Sequence, residues 1–103
     1  MGKGVYEYPA SMEIFKKIVH YAKHVHAKAY GFDAQGNEKQ IPYKKLIKAL
    51  YEGGYHNYIS LEYEGWLKRP QVDALADCRT GVELIKRTWA EVKQEANPLA
   101  SVA

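Results

Sequence analysis

Two short stretches of this chain set imidazole, amine and carboxylate groups at alternate positions. In Lys23 to Phe32, KHVHAKAYGF, an extended strand would carry His24, His26, Lys28 and Tyr30 on one side and Val25, Ala27 and Ala29 on the other. In Asn57 to Glu64, NYISLEYE, the same alternation puts Tyr58, Ser60, Glu62 and Glu64 on a polar side and Ile59, Leu61 and Tyr63 on an apolar one. Imidazoles two residues apart are candidate metal ligands, although solvated or hydrogen-bonded histidines satisfy the same spacing. What the polar side looks onto decides the function.

Three helical segments must position these strands. Ser11 reads as an N-cap with Glu13 in the first turn, ahead of an apolar stripe of Met12, Phe15, Ile18, Val19 and Ala22. After the first strand, Asp33 to Asn37 is rich in turn formers and the loop runs on to Ile41, long enough to serve an active site or simply to connect. Pro42 opens a second helix with Tyr43, Leu46, Ile47, Leu50 and Tyr51 on one face, and Gly53-Gly54 ends it. Beyond the link Gly65 to Pro70, a long helix carries Leu75, Cys78, Val82, Ile85, Trp89 and Val92 on its expected buried side, with Gly81 a weak point, and Asn97-Pro98 stops it.

The order is helix, strand, helix, strand, helix. Helical connections imply a right-handed crossover and parallel pairing, so one helix layer can cover both apolar faces and leave the polar row uncovered. The fold class expected is α/β, with 1–10 an irregular lead-in, 11–96 the folded unit and 97–103 a tail. Two parallel strands leave unpaired edges, and sheets usually need three or more strands, so the unit reads as part of something larger.

Composition narrows the classes. The 103 residues are 47% hydrophobic and 26% charged, an ordinary globular balance, and a net charge of +3 spread over several helices gives no nucleic-acid footprint. The single cysteine, Cys78, forms no internal disulfide, and no apolar run suits a signal peptide or a membrane span. These features predict a soluble, cytoplasmic protein without nucleic-acid or membrane partners.

The motifs VHAKAYGFD and GGYHNYISLEYEG, followed by the long last helix, resemble the C-terminal end of the xylose-isomerase-like TIM barrels, the sugar phosphate isomerase and epimerase family. The resemblance covers about Met12 to Val92 and implies a partial (β/α)8 barrel comprising the last two strand-helix units and the preceding helix. It implies that His26 and Glu62 are metal ligands for Mn, Co, Zn or Mg, that Glu62 also moves a proton, and that Lys28 neutralises a phosphate or enolate oxygen as a second catalytic group. His24, Tyr30, Glu64 and Trp66 become further substrate contacts, and the ligand is a sugar or sugar phosphate. Where many relatives carry Asp after the Lys, this chain has Ala29.

The family's other carboxylate ligands come from strands that this sequence lacks. The expectation is therefore a C-terminal fragment of a divalent-metal-dependent sugar isomerase or epimerase, inactive until a complementary barrel chain supplies the rest. The competing expectation is a non-catalytic module that self-associates through its strand edges and polar face. An apurinic-endonuclease branch of the same superfamily ranks last, since it uses more His and Asp ligands than two strands offer.

Overall fold

In the computed structural model, residues 9–65 and 73–97 are described. The lead-in up to residue 8, the link containing Trp66 and the tail from residue 98 lie outside the described residues.

Helix α1 spans Pro9–Ile18, starting two residues before Ser11, and tightens into a 3-10 turn at Val19–Tyr21. Ser11 is therefore inside the helix rather than its cap, and Pro9 occupies a first position where its missing N–H costs nothing. Met12 and Val19 are buried as the stripe predicts, but Ile18 is 54% exposed. The three-residue turn that begins after Ile18 rotates Val19 inward and leaves Ile18 facing solvent.

Strand β1 is Val25–Ala29, helix α2 is Tyr43–Glu52, strand β2 is Ile59–Tyr63 and helix α3 is Ala74–Ala96. The strands are shorter than their sequence patterns, yet they pair in parallel as expected, with His26 opposite Ser60 and Lys28 opposite Glu62. This is a mixed α/β unit of three helices and one two-stranded parallel sheet.

The core lies on one side of that sheet. Tyr43, Ile47, Leu84 and Val92 form one buried cluster with Ala27 packed on it, and Val19, Leu50 and Tyr55 form another with Val25 and Ile59. Trp89 touches both. Gly54 closes α2 with φ of +80°, the left-handed conformation that glycine takes without strain. Lys44 on α2 then reaches Glu95 at 2.8 Å and Glu91 at 3.6 Å, tying it to α3.

Helix α3 is turned relative to the expected stripe. Asp73 caps its start by accepting from the Ala76 N–H at 3.0 Å. Its buried line is Gly81, Leu84, Thr88 and Val92, whereas Leu75 is 65% exposed and Val82 40%. Close approach explains the rotation, because a Cβ on Gly81 would sit 2.7 Å from Leu61 Cδ2 and 3.2 Å from Phe32 Cζ. Gly81 is thus a point where helix and sheet meet. Val92 is buried and Ile85 and Trp89 pack on the core as the stripe predicts, but hydrophobicity alone misses Gly81 and Thr88, which look neutral to it, and misplaces Leu75 and Val82.

Candidate functional site

The alternation in both strands holds, so the even-numbered side chains stand together on the face away from the helices. Three diagonal pairs cross from β1 to β2. His24 Nε2 lies 2.7 Å from Ser60 Oγ, His26 Nδ1 is 3.5 Å from Glu62 Oε2, and Lys28 Nζ is 3.6 Å from Glu64 Oε1. His26 and Lys28 each reach two residues past their register partners, to the next side chain on the same face, because side chains in a parallel pair lean along the strand. The His24 and His26 rings also meet edge to face, with centroids 4.8 Å apart.

These groups are wet. The side chains of His26 and Glu62 are 61% and 41% exposed, and those of Lys28 and Glu64 are 46% and 29%. Exposed ion pairs contribute about 0–1 kcal/mol to folding, so the row is not what holds the fold together. The Lys28 ammonium is held above the ordinary lysine value, first by Glu64 and then by Tyr30 and Glu62. It therefore stays cationic across the physiological range. Tyr30, half-buried, thus shares the electrostatics of the C-terminal end of the row.

The loop after β1 is tightly built. Phe32 bridges Glu38 in antiparallel fashion, Gly36 turns the tip with φ of +80°, and Asp33 Oδ1 accepts from the Gln35 and Asn37 N–H groups. Arg87 on α3 donates to Asn37 Oδ1 at 2.8 Å. Glu38 sits at the loop's base and accepts four backbone N–H groups, those of Tyr30, Gly31, Gln40 and Ile41, at 2.5–3.2 Å. Tyr43 donates its hydroxyl to the Lys28 carbonyl at 2.6 Å. Sequence reasoning missed Glu38 and the Tyr43 hydroxyl; a glutamate among turn formers carries no spacing signal, and Tyr43 reads only as an apolar-face residue. Tyr63 and Asp77, joined through the tyrosine hydroxyl, were likewise invisible.

One cleft touches the row, and it is small. A cleft of about 120 Å³ beside β1 is lined by Phe15, His26, Lys28, Ile41, Tyr43 and Leu46 among others. Small-molecule sites usually occupy about 300–1,000 Å³, so this cleft is below the usual size for one.

A divalent metal does not fit the described residues by themselves. His26 and Glu62 supply two donors, and no group of three or more His, Cys, Asp or Glu that could share an ion occurs among the described residues. Three protein ligands are usual for a catalytic zinc.

An α/β unit presenting proton-handling side chains on one face of a parallel sheet is the class of structure in hand. More particularly, the chain is similar to deglycosidase alpha subunits. It is 45% identical over 58 residues to the C-glycoside deglycosidase alpha subunit of Microbacterium trichothecenolyticum, matching 56% of this chain and 16% of that protein. The Arthrobacter globiformis C-glycoside deglycosidase alpha subunit is 41% identical over 58 residues, with the same coverage of each chain. The 3'-dehydrocarminate deglycosidase alpha subunit of a Microbacterium species is 34% identical over 84 residues, 82% of this chain and 24% of that protein. The chain thus spans 16–24% of the length of these relatives. No family model and no solved structure matches it.

These relatives correct the sequence reading. The resemblance to xylose-isomerase-like sugar phosphate isomerases and epimerases is overturned by the deglycosidase names, as is the isomerase function built on it. Residue types on a strand face fix which protons and charges can be handled, not which bond is broken, so H-x-K and E-Y-E-G suit more than one reaction. The self-associating module finds no support either. Part of the edge it relied on is occupied, since Tyr43 and Glu38 bond the backbone of Lys28 and Tyr30. No helix among the described residues is long and apolar enough to cross a membrane.

Proposed function

We propose that this chain corresponds to a segment of a C-glycoside deglycosidase alpha subunit and supplies one wall of its active site, working with an unlike subunit on a glycoside. The observation that carries this reading is the 34% identity over 84 residues, 82% of the chain, to the 3'-dehydrocarminate deglycosidase alpha subunit. The paired groups His26–Glu62 and Lys28–Glu64 give that wall its chemistry.

The word dehydro denotes a carbonyl at position 3' of the sugar. A carbonyl there acidifies the neighbouring C2' proton. A base removes it, the freed pair becomes the C1'–C2' double bond, the C1'–aglycone bond breaks, and the aglycone leaves with that bond's electrons and is protonated. His26 takes the C2' proton; Glu62 orients the imidazole and balances the imidazolium that forms. Lys28, cationic and backed by Glu64, faces the enolate oxygen.

The test is an exchange. The matched segment of the 3'-dehydrocarminate enzyme is replaced by this chain, assembled with the partner subunit and assayed for aglycone release. Activity persists in the exchange enzyme and falls on the order of 100-fold or more in His26→Asn and Glu62→Gln. A folded, assembled exchange enzyme indifferent to both substitutions would sink the proposal.

A further inference from the structure

The end of β1 is held in an unusual way. In a parallel pair, alternate residues turn both their N–H and C=O toward the partner strand, and the residues between turn outward. Val25 N–H donates to the Tyr58 carbonyl and Glu64 N–H donates to the Ala29 carbonyl, so the odd residues of β1 face β2. His26, Lys28 and Tyr30 therefore present their backbone groups to the outer edge. No strand lies there among the described residues. Instead, Lys28 C=O receives the Tyr43 hydroxyl, and Tyr30 N–H reaches Glu38 Oε2 at 2.8 Å.

Glu38 does more than satisfy one donor. Oε2 also accepts Gly31 N–H at 3.2 Å, while Oε1 accepts those of Gln40 at 2.5 Å and Ile41 at 2.7 Å. A second tie, Lys39 N–H to the Gly31 carbonyl at 3.0 Å, closes the base of the loop. One carboxylate thus locks the peptide planes just after β1 to the residues that enter α2. Lys28 lies in β1 two residues before that lock, and the Tyr30 N–H is part of it. The loop tip has its own, separate anchor in Arg87.

We propose that Glu38 is a positioning residue for the polar row, its carboxylate taking the place of a neighbouring strand at the end of β1 and setting the direction in which Lys28 and Tyr30 project toward bound glycoside. The inference rests on the deglycosidase reading for the identity of what is bound, but not for the geometry. The loop is accordingly a fixed wall of the site, not a lid. Glutamine at position 38 keeps the shape and replaces one acceptor oxygen by an amide group, which cannot accept the two N–H groups that met that oxygen.

The experiment uses the isotopically labelled full chain and compares Glu38→Gln with wild type and with Arg87→Ala. In Glu38→Gln the α2 and α3 amide signals keep their wild-type positions, amide exchange at Tyr30 and Gly31 accelerates tenfold or more, and the Overhauser contacts between the Lys28 and Glu64 side chains disappear. Arg87→Ala loosens Gly36 and Asn37 but keeps those contacts. Folded Glu38→Gln that retains the Lys28–Glu64 contacts overturns the proposal, and so does their loss in Arg87→Ala, which would make any loosening of the loop sufficient. Should Glu38→Gln not fold, Glu38→Asp is read by the same signals: its carboxylate is shorter by one methylene, and unchanged Lys28–Glu64 contacts beside a displaced loop base overturn the idea. None of these readings needs turnover, so the deglycosidase proposal can fail in its exchange assay while this one stands. In an active exchange enzyme, Glu38→Gln lowers kcat on the order of 10- to 100-fold with KM little changed, the signature of misplaced rather than absent groups.

Discussion

The two faces of the same five-residue strands differ in nearly every physical respect. On one, Val25, Ala27, Ile59 and Leu61 pack against α2 and α3, and the contact is so close that any side chain at position 81 would have to push Leu61 aside. On the other, His24, His26, Lys28, Ser60, Glu62 and Glu64 form exposed diagonal pairs. The first face carries stability through area removed from water, and the second carries almost none. A single backbone thus separates the two tasks, which leaves the polar row free to be chosen for chemistry.

Substitutions on the packed side should have the largest effects on folding. Leu84→Ala empties a buried site in the larger cluster and should cost about 3 kcal/mol, read from urea unfolding at fixed pH. Gly81→Val drives a branched side chain into Leu61 and should cost about 2–3 kcal/mol; if its midpoint equals that of wild type, the close approach of helix and sheet is wrong. Tyr43→Phe removes only the hydroxyl bonded to the Lys28 carbonyl and should cost about 1 kcal/mol, tested by the same melts.

The open face should behave oppositely. His26→Asn and Glu62→Gln should change stability by no more than about 0.5 kcal/mol while removing activity from the exchange enzyme. A loss of several kcal/mol in either would erase the contrast between the faces. The smallest effect is at alkaline pH. Lys44 is held above the ordinary lysine value, first by its hydrogen bond to Glu95, and Lys28 is raised chiefly by Glu64. A raised folded-state value means that the stabilisation is fully present below the unfolded lysine value of about 10.4 and is lost as pH rises through the folded one. Lys44→Met should therefore flatten, slightly, the fall in Tm above that pH, and a steeper fall would contradict the assignment.

Legibility differed by element for reasons visible in single residues. The strand faces were readable because period two needs no tertiary information, so His26 and Glu62 could be placed on one side before any coordinates. The Gly53-Gly54 pair announced the end of α2, and it is Gly54, at φ of +80°, whose backbone few other residues tolerate. Ile18 was misread because the pitch changes at the next residue, and Val82 because a helix in contact through Gly81 and Thr88 hides its packed side from any hydrophobicity scale. Trp66, expected at the mouth of the site, lies outside the described residues.

The chain's own pattern determined the α/β order, the parallel pairing and the residue types on the polar row, because each follows from periodicity and local backbone preference. Only the three-dimensional arrangement decided which of those residues touch, that Glu38 and Tyr43 hold the outer edge of β1, and that α3 meets the sheet at Gly81. Those facts depend on contacts between residues far apart along the chain, and nothing in a local window encodes them.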